Sequence, residues 1–231
     1  MEIASSLAQI TARRSAHTRS IPDIVAETLR EGILTGLLPA GMQLKQDHLA
    51  RHFGTSRAPV REALQILAGE GLLTVSRHRG IAVAEADAAD LQEIAEMRAM
   101  LEGHALKLSA MRLTEGDLGE AASILDEAEA TPADPLRQSD LHWRFHRLLM
   151  ARAERPRILA QVDHLHIAIS RYLLPAWTEV GLSGDWVASH RALLALLRRG
   201  EAVEAAAMNA RQIEEARTRV SAWLAQKEKT G

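Results

Sequence analysis

Histidines four residues apart are the first feature of this sequence that could do chemistry. His142 and His146 lie in a segment with helical periodicity, so both rings project from one face of a helix. His190 lies on a later helical segment, near Trp186 and Leu193, and could reach across a helical bundle. Imidazole nitrogens bind Zn, Ni, Cu or Fe. The spacing favours a divalent metal site, although the same histidines could instead be partly buried polar residues that line an apo cavity.

A second group of candidate residues is basic and lies nearer the N-terminus. Arg57, Arg61 and Gln65 recur at i, i+4 and i+8, so they share one face of a predicted helix. Arginine offers paired donors to guanine and also contacts phosphate, and the first turn of a helix can point into the major groove of DNA. Such residues are also common on ordinary solvated surfaces. Whether they read DNA therefore depends on the elements that present them.

The elements around this helix follow the order of a winged helix-turn-helix. The stretch IPDIVAETLREGILTGLL predicts an amphipathic helix, which TGLLPAGMQL then breaks. A short helix runs from about Gln46 to Phe53, and Ser56 is a suitable N-cap for the third helix. The segments LLTVS and GIAVA alternate in polarity around RHRG, which predicts a β-hairpin. One face of this hairpin should carry Leu73, Val75, Ile81 and Val83. Its basic tip comprises Arg77, His78, Arg79 and Gly80.

From about Asp87 onward the pattern predicts six helices and no strands. Their expected ranges are 87–111, 115–130, 134–152, 156–174, 184–199 and 201–226. Thr114 with Asp117 resembles a capping box, and the short loops make neighbouring helices antiparallel. We therefore expect a mainly α protein, with a winged helix-turn-helix of three helices plus a β-hairpin, followed by an antiparallel bundle of about six helices. The expected divisions are a flexible tail at 1–18, the DNA-binding domain at 19–84 and an all-helical domain at 85–231.

Composition excludes some classes of function. The chain has 231 residues and no cysteine, so disulfides and thiolate metal sites are impossible. Residues 1–84 hold ten Lys and Arg against seven Asp and Glu, whereas residues 85–231 hold eighteen against twenty-three. This asymmetry allows a nucleic-acid partner for the first part. The sequence shows no run of eighteen apolar residues and its start lacks the apolar core of a secretory signal, so we expect a cytoplasmic protein with no membrane partner.

The stretch GLLPAGMQLKQDHLARHFGTSRAPVREALQILAGEGLLTVSRHRGIAVA resembles the DNA-binding domain of the GntR family of bacterial transcription regulators. The resemblance implies that Arg57 and Arg61 contact double-stranded operator DNA and that the wing supports them. One departure is Ala58, which stands where the family commonly has a hydroxyl residue. Another is the start of the second helix, which has no strong capping side chain. The candidate DNA contacts are Lys45, Ser56, Arg57, Arg61, Gln65, Arg77, His78, Arg79 and Gly80.

Residues 87–226 resemble the helical FCD domain of the FadR-type branch of the same family. The supporting stretches are EMRAMLEGHALKLSA, DLHWRFHRLLMARAERPRIL, SHRALLALLRRGEAVEAA and RQIEEA. The resemblance implies a bundle that encloses a small-molecule cavity and supports dimerisation. It also implies a cavity-facing role for Arg98, which could hold a carboxylate. Arg98 and Glu102 are spaced i, i+4, a pattern that is otherwise typical of a surface salt bridge.

Many members of this branch bind a divalent metal through one acidic residue and three histidines. By position, His142 falls at the acidic site, His146 and His190 match two of the histidines, and Gln212 replaces the last one. The resemblance therefore implies a three-histidine site for Zn, Ni or a similar ion, with positions open to water or ligand. Gln212, a poor metal ligand, becomes a candidate effector-binding residue together with Arg98.

Three hypotheses for function follow. The leading one is a ligand-responsive transcription regulator, most simply a repressor, that binds a palindromic operator as a homodimer and senses a small metabolite such as an organic acid. The alternative is a helical metal-dependent enzyme in which three histidines activate water. The sequence shows no general base paired with those histidines, which argues against an enzyme. In the third hypothesis the cavity binds nothing and the bundle serves only to dimerise.

Overall fold

The structure is a computed structural model that describes residues 20–76, 80–179 and 186–230. The chain divides into two compact units, Met1–Ala86 and Asp87–Gly231. Helices dominate both units, and one antiparallel pair of strands forms the sheet of the described residues. The prediction of a mainly α fold, with a winged helix-turn-helix followed by a helical bundle, is confirmed.

The first unit consists of three helices and a hairpin. Its elements are α1 (Ile21–Leu34), α2 (Gln46–His52), α3 (Arg57–Gly69), β1 (Leu73–Ser76) and β2 (Gly80–Val83). The hydroxyl of Ser20 caps α1 by accepting a hydrogen bond from the backbone N–H of Asp23 at 3.4 Å. Gly54 makes the turn between α2 and α3 with φ of 61°, a left-handed conformation that glycine adopts without strain.

Helices α1 and α3 pack against each other through fully buried aliphatic side chains. The residues Val25, Leu29, Val60, Leu64 and Leu67 form this contact region and the surrounding core. A paired ion contact adds to it, because Arg30 donates to Glu70 through Nε at 2.9 Å and through Nη2 at 2.5 Å. The apolar periodicity of the sequence thus fixes which face of α3 is buried and leaves the opposite face in solvent.

The hairpin pairs Leu73 with Val83 and Val75 with Ile81. This register places all four residues on one face of the hairpin, as predicted, and Leu73 and Val83 are buried there, whereas Val75 is 67% exposed. Val75 lies nearer the tip of the hairpin than Leu73 does. The segment 41–44 runs along β2, since the N–H of Leu44 donates to the oxygen of Ile81 at 2.8 Å. The tip residues 77–79 lie outside the described residues.

The second unit contains six α-helices and one short 3-10 helix among its described residues. They are α4 (Ala88–Ala110), α5 (Glu115–Ala130), α6 (Pro135–Met150), the 3-10 helix (Ala151–Ala153), α7 (Pro156–Glu179), α8 (Trp186–Arg198) and α9 (Ala202–Thr230). Thr114 and Asp117 form the predicted capping box. The predicted end of the fourth bundle helix at 174 is wrong, because α7 continues through Pro175 to Glu179. A proline removes one N–H from a helix, yet packing on neighbouring helices can offset that loss.

The bundle surrounds one apolar core. Helix α4 packs on α7 and α9, α5 packs on α6 and α8, and α6 packs on α7. Phe145 of α6 and Tyr172 of α7 are the largest fully buried side chains among the described residues. Within the described ranges, the helices lack the combination of length and apolar character that crossing a membrane would need.

Candidate functional site

Helix α3 presents a polar face that is available to a partner. Arg57, Arg61 and Gln65 are exposed, whereas Val60 and Leu64 on the other side are buried. Ser56 occupies the N-cap position, but its side chain makes no capping hydrogen bond, so the expected cap is absent. The hydroxyl of Ser56 and the first N–H groups of α3 together form an end of a helix that can receive a phosphate oxygen.

The two arginines differ in their surroundings. Arg57 forms an ion pair from Nε to Oδ1 of Asp47 on α2, although its side chain is still 73% exposed. Arg61 has no ion pair or hydrogen bond with the part of the chain that the structure describes. Arg61 can therefore approach a nucleic acid without breaking an existing contact, whereas Arg57 has to leave or share Asp47.

A surface groove joins the start of α2 to the hairpin. Lys45, Arg57 and Gly80 line this groove together, so the structure places three of the candidate DNA contacts side by side. Arg51 and His48 also line it, and sequence reasoning missed both. The signal that could have found Arg51 is its spacing: it lies four residues after Asp47 on the same helix face. The candidates Arg77, His78 and Arg79 lie outside the described residues.

The three candidate metal ligands meet inside the second unit. Their Nε2 atoms converge: that of His146 lies 3.3 Å from that of His142 and 2.8 Å from that of His190. One ring nitrogen of each residue lies within 4.8 Å of those of the other two. His142 and His146 lie on adjacent turns of α6, and the side chain of His190 contacts them from α8. The predicted i, i+4 pair and the cross-bundle contact both occur.

Hydrogen bonds orient His190. Its Nδ1 atom lies 2.6 Å from the main-chain oxygen of Trp186, and a carbonyl only accepts, so Nδ1 carries the proton. The Nε2 atom of neutral His190 is then an unprotonated acceptor that faces His146. In turn, the indole N–H of Trp186 donates to Gln138 at 2.7 Å, which fixes the start of α8. This arrangement orients one nitrogen lone pair toward the cluster.

Burial keeps the cluster neutral. It lowers the pKa of His190 to about 4, and the hydrogen bond to Trp186 opposes this shift only in part. Burial also lowers the pKa of His142 and of His146 well below the usual value, and the charge repulsion that each protonated ring would meet from the neighbouring histidines and Arg98 lowers both further. Near neutral pH all three residues are uncharged imidazoles, the form that binds a metal ion.

The cluster forms one wall of a cavity of about 280 Å³. The cavity residues are Arg98, His142, His146, Leu173, Trp177, Trp186, Ser189, His190, Gln212, Ile213, Glu215, Ala216 and Arg219. Trp177 and Trp186 are buried, line this cavity and lie edge-on to His142. Their large rings shape the apolar side of a site whose opposite side is polar.

Arg98 is held at the cavity by a buried carboxylate. Its Nε donates to Glu102 at 2.6 Å, and the second oxygen of Glu102 accepts from Asn209 at 3.3 Å. All three residues are buried, so the pair is not the surface salt bridge that i, i+4 spacing usually indicates. Asn209 was not a candidate from sequence, because only the packing of α9 on α4 brings it to Glu102.

Other nearby residues take no part in the cluster. Asp140, one turn before Arg144, forms ion pairs with Arg137 and Arg144 on the same helix. His166 stacks on Trp143 with ring centroids 3.7 Å apart and does not line the cavity. The donor set at the cavity is therefore three imidazole nitrogens, which suits Zn or Ni and does not suit Mg or Ca. By chemistry and convergence, His142, His146 and His190 fit a divalent transition metal.

Comparison with known proteins gives the family. Residues 23–83 match the model of bacterial regulatory proteins of the gntR family, and residues 93–215 match the FCD domain. A regulator named as a probable D-xylose utilization operon transcriptional repressor, from Paenarthrobacter nicotinovorans, is 30% identical over 194 residues, or 83% of this chain and 84% of that protein. The chain therefore belongs to the GntR family of bacterial regulators and carries an FCD domain.

Two further similar proteins are also transcription regulators. The helix-turn-helix regulator YdhC of Bacillus subtilis is 28% identical over 141 residues, or 60% of this chain and 63% of YdhC, so the match spans less than two thirds of that protein. The crystal structure of a GntR family regulator from Pseudomonas syringae is 28% identical, covers 98% of this chain and 95% of its own, and has a TM-score of 0.59. The family and these relatives are transcription regulators, so the hypothesis of a metal-dependent enzyme is wrong.

Proposed function

We propose that this transcription regulator is a homodimeric repressor that binds a palindromic operator. Its affinity for the operator changes when a small organic acid binds in the histidine cavity. The observation that carries the DNA-binding part is the exposed face of α3, on which Arg57, Arg61 and Gln65 follow one another over a buried apolar face. A rigid helix of this kind fits the major groove, and two copies on a two-fold axis match a palindrome.

The supporting contacts are divided between bases and phosphates. Arg61 and Gln65 point away from the body of the unit and are proposed to contact base edges. Lys45, Ser56, Arg57 and the wing residues Arg77, His78, Arg79 and Gly80 are proposed to hold the backbone, where charge and free N–H groups matter more than sequence. We propose that residues 19–84 form the DNA-binding domain. We also propose that the protein binds DNA in the cytoplasm.

The ligand-binding part rests on the convergence of three neutral imidazoles and one guanidinium in a single cavity. His142, His146 and His190 would hold a divalent metal, Zn or Ni by preference, which when bound supplies a positive centre for an anionic ligand. Arg98 offers charge-assisted hydrogen bonds to a carboxylate, and Glu102 with Asn209 keeps it in place. We propose residues 85–231 as the sensing and dimerisation domain.

The relative from Paenarthrobacter nicotinovorans is named as a probable repressor of a D-xylose utilization operon. Repression is accordingly the proposed sign of control. A ligand changes DNA affinity only if it binds one arrangement of the dimer more tightly than another, so the effector and the operator must be linked reciprocally.

The first experiment measures DNA binding by fluorescence anisotropy, with the full chain and fragments from upstream of its own gene. Arg61→Ala should weaken binding by about 1–3 kcal/mol, the usual cost of losing an arginine–guanine contact. Arg157→Ala is the matched control, because Arg157 is an exposed arginine of the second unit and its loss removes the same charge. Equal binding by wild type and Arg61→Ala would show that α3 does not read the operator.

The second experiment tests the cavity. A thermal-shift screen of zinc-loaded protein against organic acids, amino acids and sugar acids asks which class binds. We expect acids to raise the melting temperature of wild type and to have little effect on Arg98→Met. If no compound shifts wild type in any metal state, the third hypothesis, a bundle that only dimerises, replaces the sensing function.

A further inference from the structure

Gln212 of helix α9 is one of the residues that line the histidine cavity. Its Nε2 atom lies 3.1 Å from the main-chain oxygen of Ser189. A carbonyl oxygen only accepts hydrogen bonds, so the NH₂ end of the amide must be the donor and is fixed at Ser189. The orientation of the amide therefore follows from chemistry, and Oε1 is the end that remains.

The Oε1 atom of Gln212 is buried and has no hydrogen-bond partner in the described part of the chain. Buried polar atoms of native proteins nearly always have a partner, because an unpaired one loses hydration without compensation. An amide oxygen accepts and cannot donate. The atom that satisfies Oε1 must therefore belong to an O–H or N–H group, or be a cation.

Whereas Oε1 of Gln212 needs a hydrogen-bond donor, Arg98 in the same cavity needs an acceptor. Its Nε is bonded to Glu102, while its two terminal nitrogens have no hydrogen-bond partner among the described residues. These nitrogens only donate, so they suit a carboxylate. A single ligand that satisfies both Arg98 and Gln212 must carry an anionic acceptor and a hydrogen-bond donor within one small molecule.

We propose that the effector is a hydroxy acid and that Gln212 determines this specificity, its Oε1 accepting a hydrogen bond from the hydroxyl while Arg98 holds the carboxylate. The inference rests on the acid-sensing function proposed above. A neutral hydroxyl suits Oε1 better than an ammonium group, because the guanidinium of Arg98 makes this part of the cavity unfavourable for a second cation. The cavity of about 280 Å³ is of a size for a small acid.

The experiment compares acids that differ by a single hydroxyl. Zinc-loaded, full-length protein is titrated by calorimetry with glycolate and acetate, lactate and propionate, and malate and succinate. In wild type, the hydroxylated member of at least one pair should bind about tenfold more tightly than its partner, because only that member satisfies Oε1. The corresponding amino acids, glycine, alanine and aspartate, form a third arm and should bind more weakly than the hydroxy acids.

Two variants assign the preference to Gln212. Gln212→Met keeps the length of the side chain but has no amide, so the preference for the hydroxylated acid should fall to within about twofold while the plain acid binds as before. Gln161→Met is the matched control, because Gln161 is exposed on α7 and away from the cavity. The zinc content of Gln212→Met should equal that of wild type, since the three imidazoles remain.

Each of the other possible outcomes would contradict a specific part of this proposal. Equal binding of both members of every pair, or a preference that persists in Gln212→Met, removes the hydroxyl contact and leaves acid sensing intact. Tighter binding of the amino acids replaces the hydroxyl by an ammonium donor and overturns the proposed class. A lower zinc content in Gln212→Met than in wild type would indicate that Oε1 of Gln212 binds the metal and does not bind a ligand hydroxyl. Binding of no acid at all overturns both this inference and the proposed acid-sensing function.

Discussion

The Nε2 atoms of His146 and His190 lie 2.8 Å apart although the two residues belong to different helices of the bundle. Since Nδ1 of His190 donates to the oxygen of Trp186, Nε2 of neutral His190 carries a lone pair that faces Nε2 of His146. A metal ion bound here would be held by the lone pairs of both nitrogens. The contact between these two nitrogens is therefore the point at which metal binding and helix packing are coupled.

Metal removal should lower stability through this coupling. In wild type, Zn should raise the melting temperature relative to chelator-treated protein, because a ligand that binds only the folded state stabilises it by mass action. His146→Gln should abolish most of that rise, since it removes the central nitrogen of the cluster. The measurement is a thermal melt with and without Zn, together with metal analysis of the purified protein.

His164→Gln is the control for the metal experiment. His164 is exposed on α7 and lies outside the cluster, so its loss should leave the effect of Zn unchanged. The same metal content and the same melting-temperature rise in His146→Gln and wild type would remove the metal from the proposed site.

The metal-free protein should lose stability as the pH falls below neutrality. The folded-state pKa of His190 is about 4, and those of His142 and His146 are also lowered, whereas the unfolded values are near 6.5. Between these limits the unfolded chain binds more protons, so acid favours unfolding. Each histidine contributes a slope of up to about 1.4 kcal/mol per pH unit.

Urea unfolding of chelator-treated protein between pH 7.5 and pH 5 measures this slope. His190→Gln removes one titrating group and should reduce the loss of stability over that range, while His164→Gln should not. A stability of wild type that stays constant from pH 7.5 to pH 5 would contradict the neutral state of the buried cluster.

Asp47 should weaken DNA binding by competing for Arg57. The two side chains form an ion pair, and Asp47 also adds a negative charge to the groove that contains Lys45 and Gly80. Asp47→Asn should raise operator affinity about two- to fivefold, the range expected for releasing an exposed ion pair. Anisotropy titrations at two salt concentrations check this and should show the larger gain at low salt.

Glu115→Gln is the control for Asp47→Asn. It removes one negative charge from an exposed position at the start of α5, in the other unit. A gain in DNA affinity of the same size in both variants would assign the effect to net charge, and weaker binding by Asp47→Asn would mean that Asp47 positions Arg57 productively.

The sequence predicted which helices and strands form more accurately than where they end. It also predicted the histidine cluster more accurately than the residues around that cluster. The i, i+4 spacing of His142 and His146 fixes a shared face on any helix, so their proximity followed from local geometry alone. His190 needed the bundle topology, which the family resemblance supplied. Alternation in the hairpin predicted correctly which face carries Val75, but it could not predict that Val75 is exposed, because alternation does not show whether another element covers that face.

Three features had no signal in the sequence. The continuation of α7 through Pro175 depends on the packing of that helix, which overrides the local preference of proline to end it. The contact between Asn209 and Glu102 joins residues more than a hundred positions apart. The orphaned oxygen of Gln212 is of the same kind, because only the position of Ser189 decides which end of the amide is free.

The buried pair of Arg98 and Glu102 should be strongly coupled in stability. Glu102→Gln leaves the guanidinium of Arg98 buried without its counter-charge, which should cost about 3–5 kcal/mol in the free energy of unfolding. Arg98→Met alone strands the carboxylate, with only Asn209 to donate to it, and should cost a similar amount.

The double variant Arg98→Met with Glu102→Gln removes both charges and should be less destabilised than the sum of the single changes. Urea unfolding of the four proteins gives the coupling energy directly. Glu115→Gln, which removes an exposed carboxylate, should change stability by about 0.5 kcal/mol or less. Additive effects in the cycle would mean that Arg98 does not depend on Glu102, and the cavity would then lose the contact that orients its guanidinium toward a ligand.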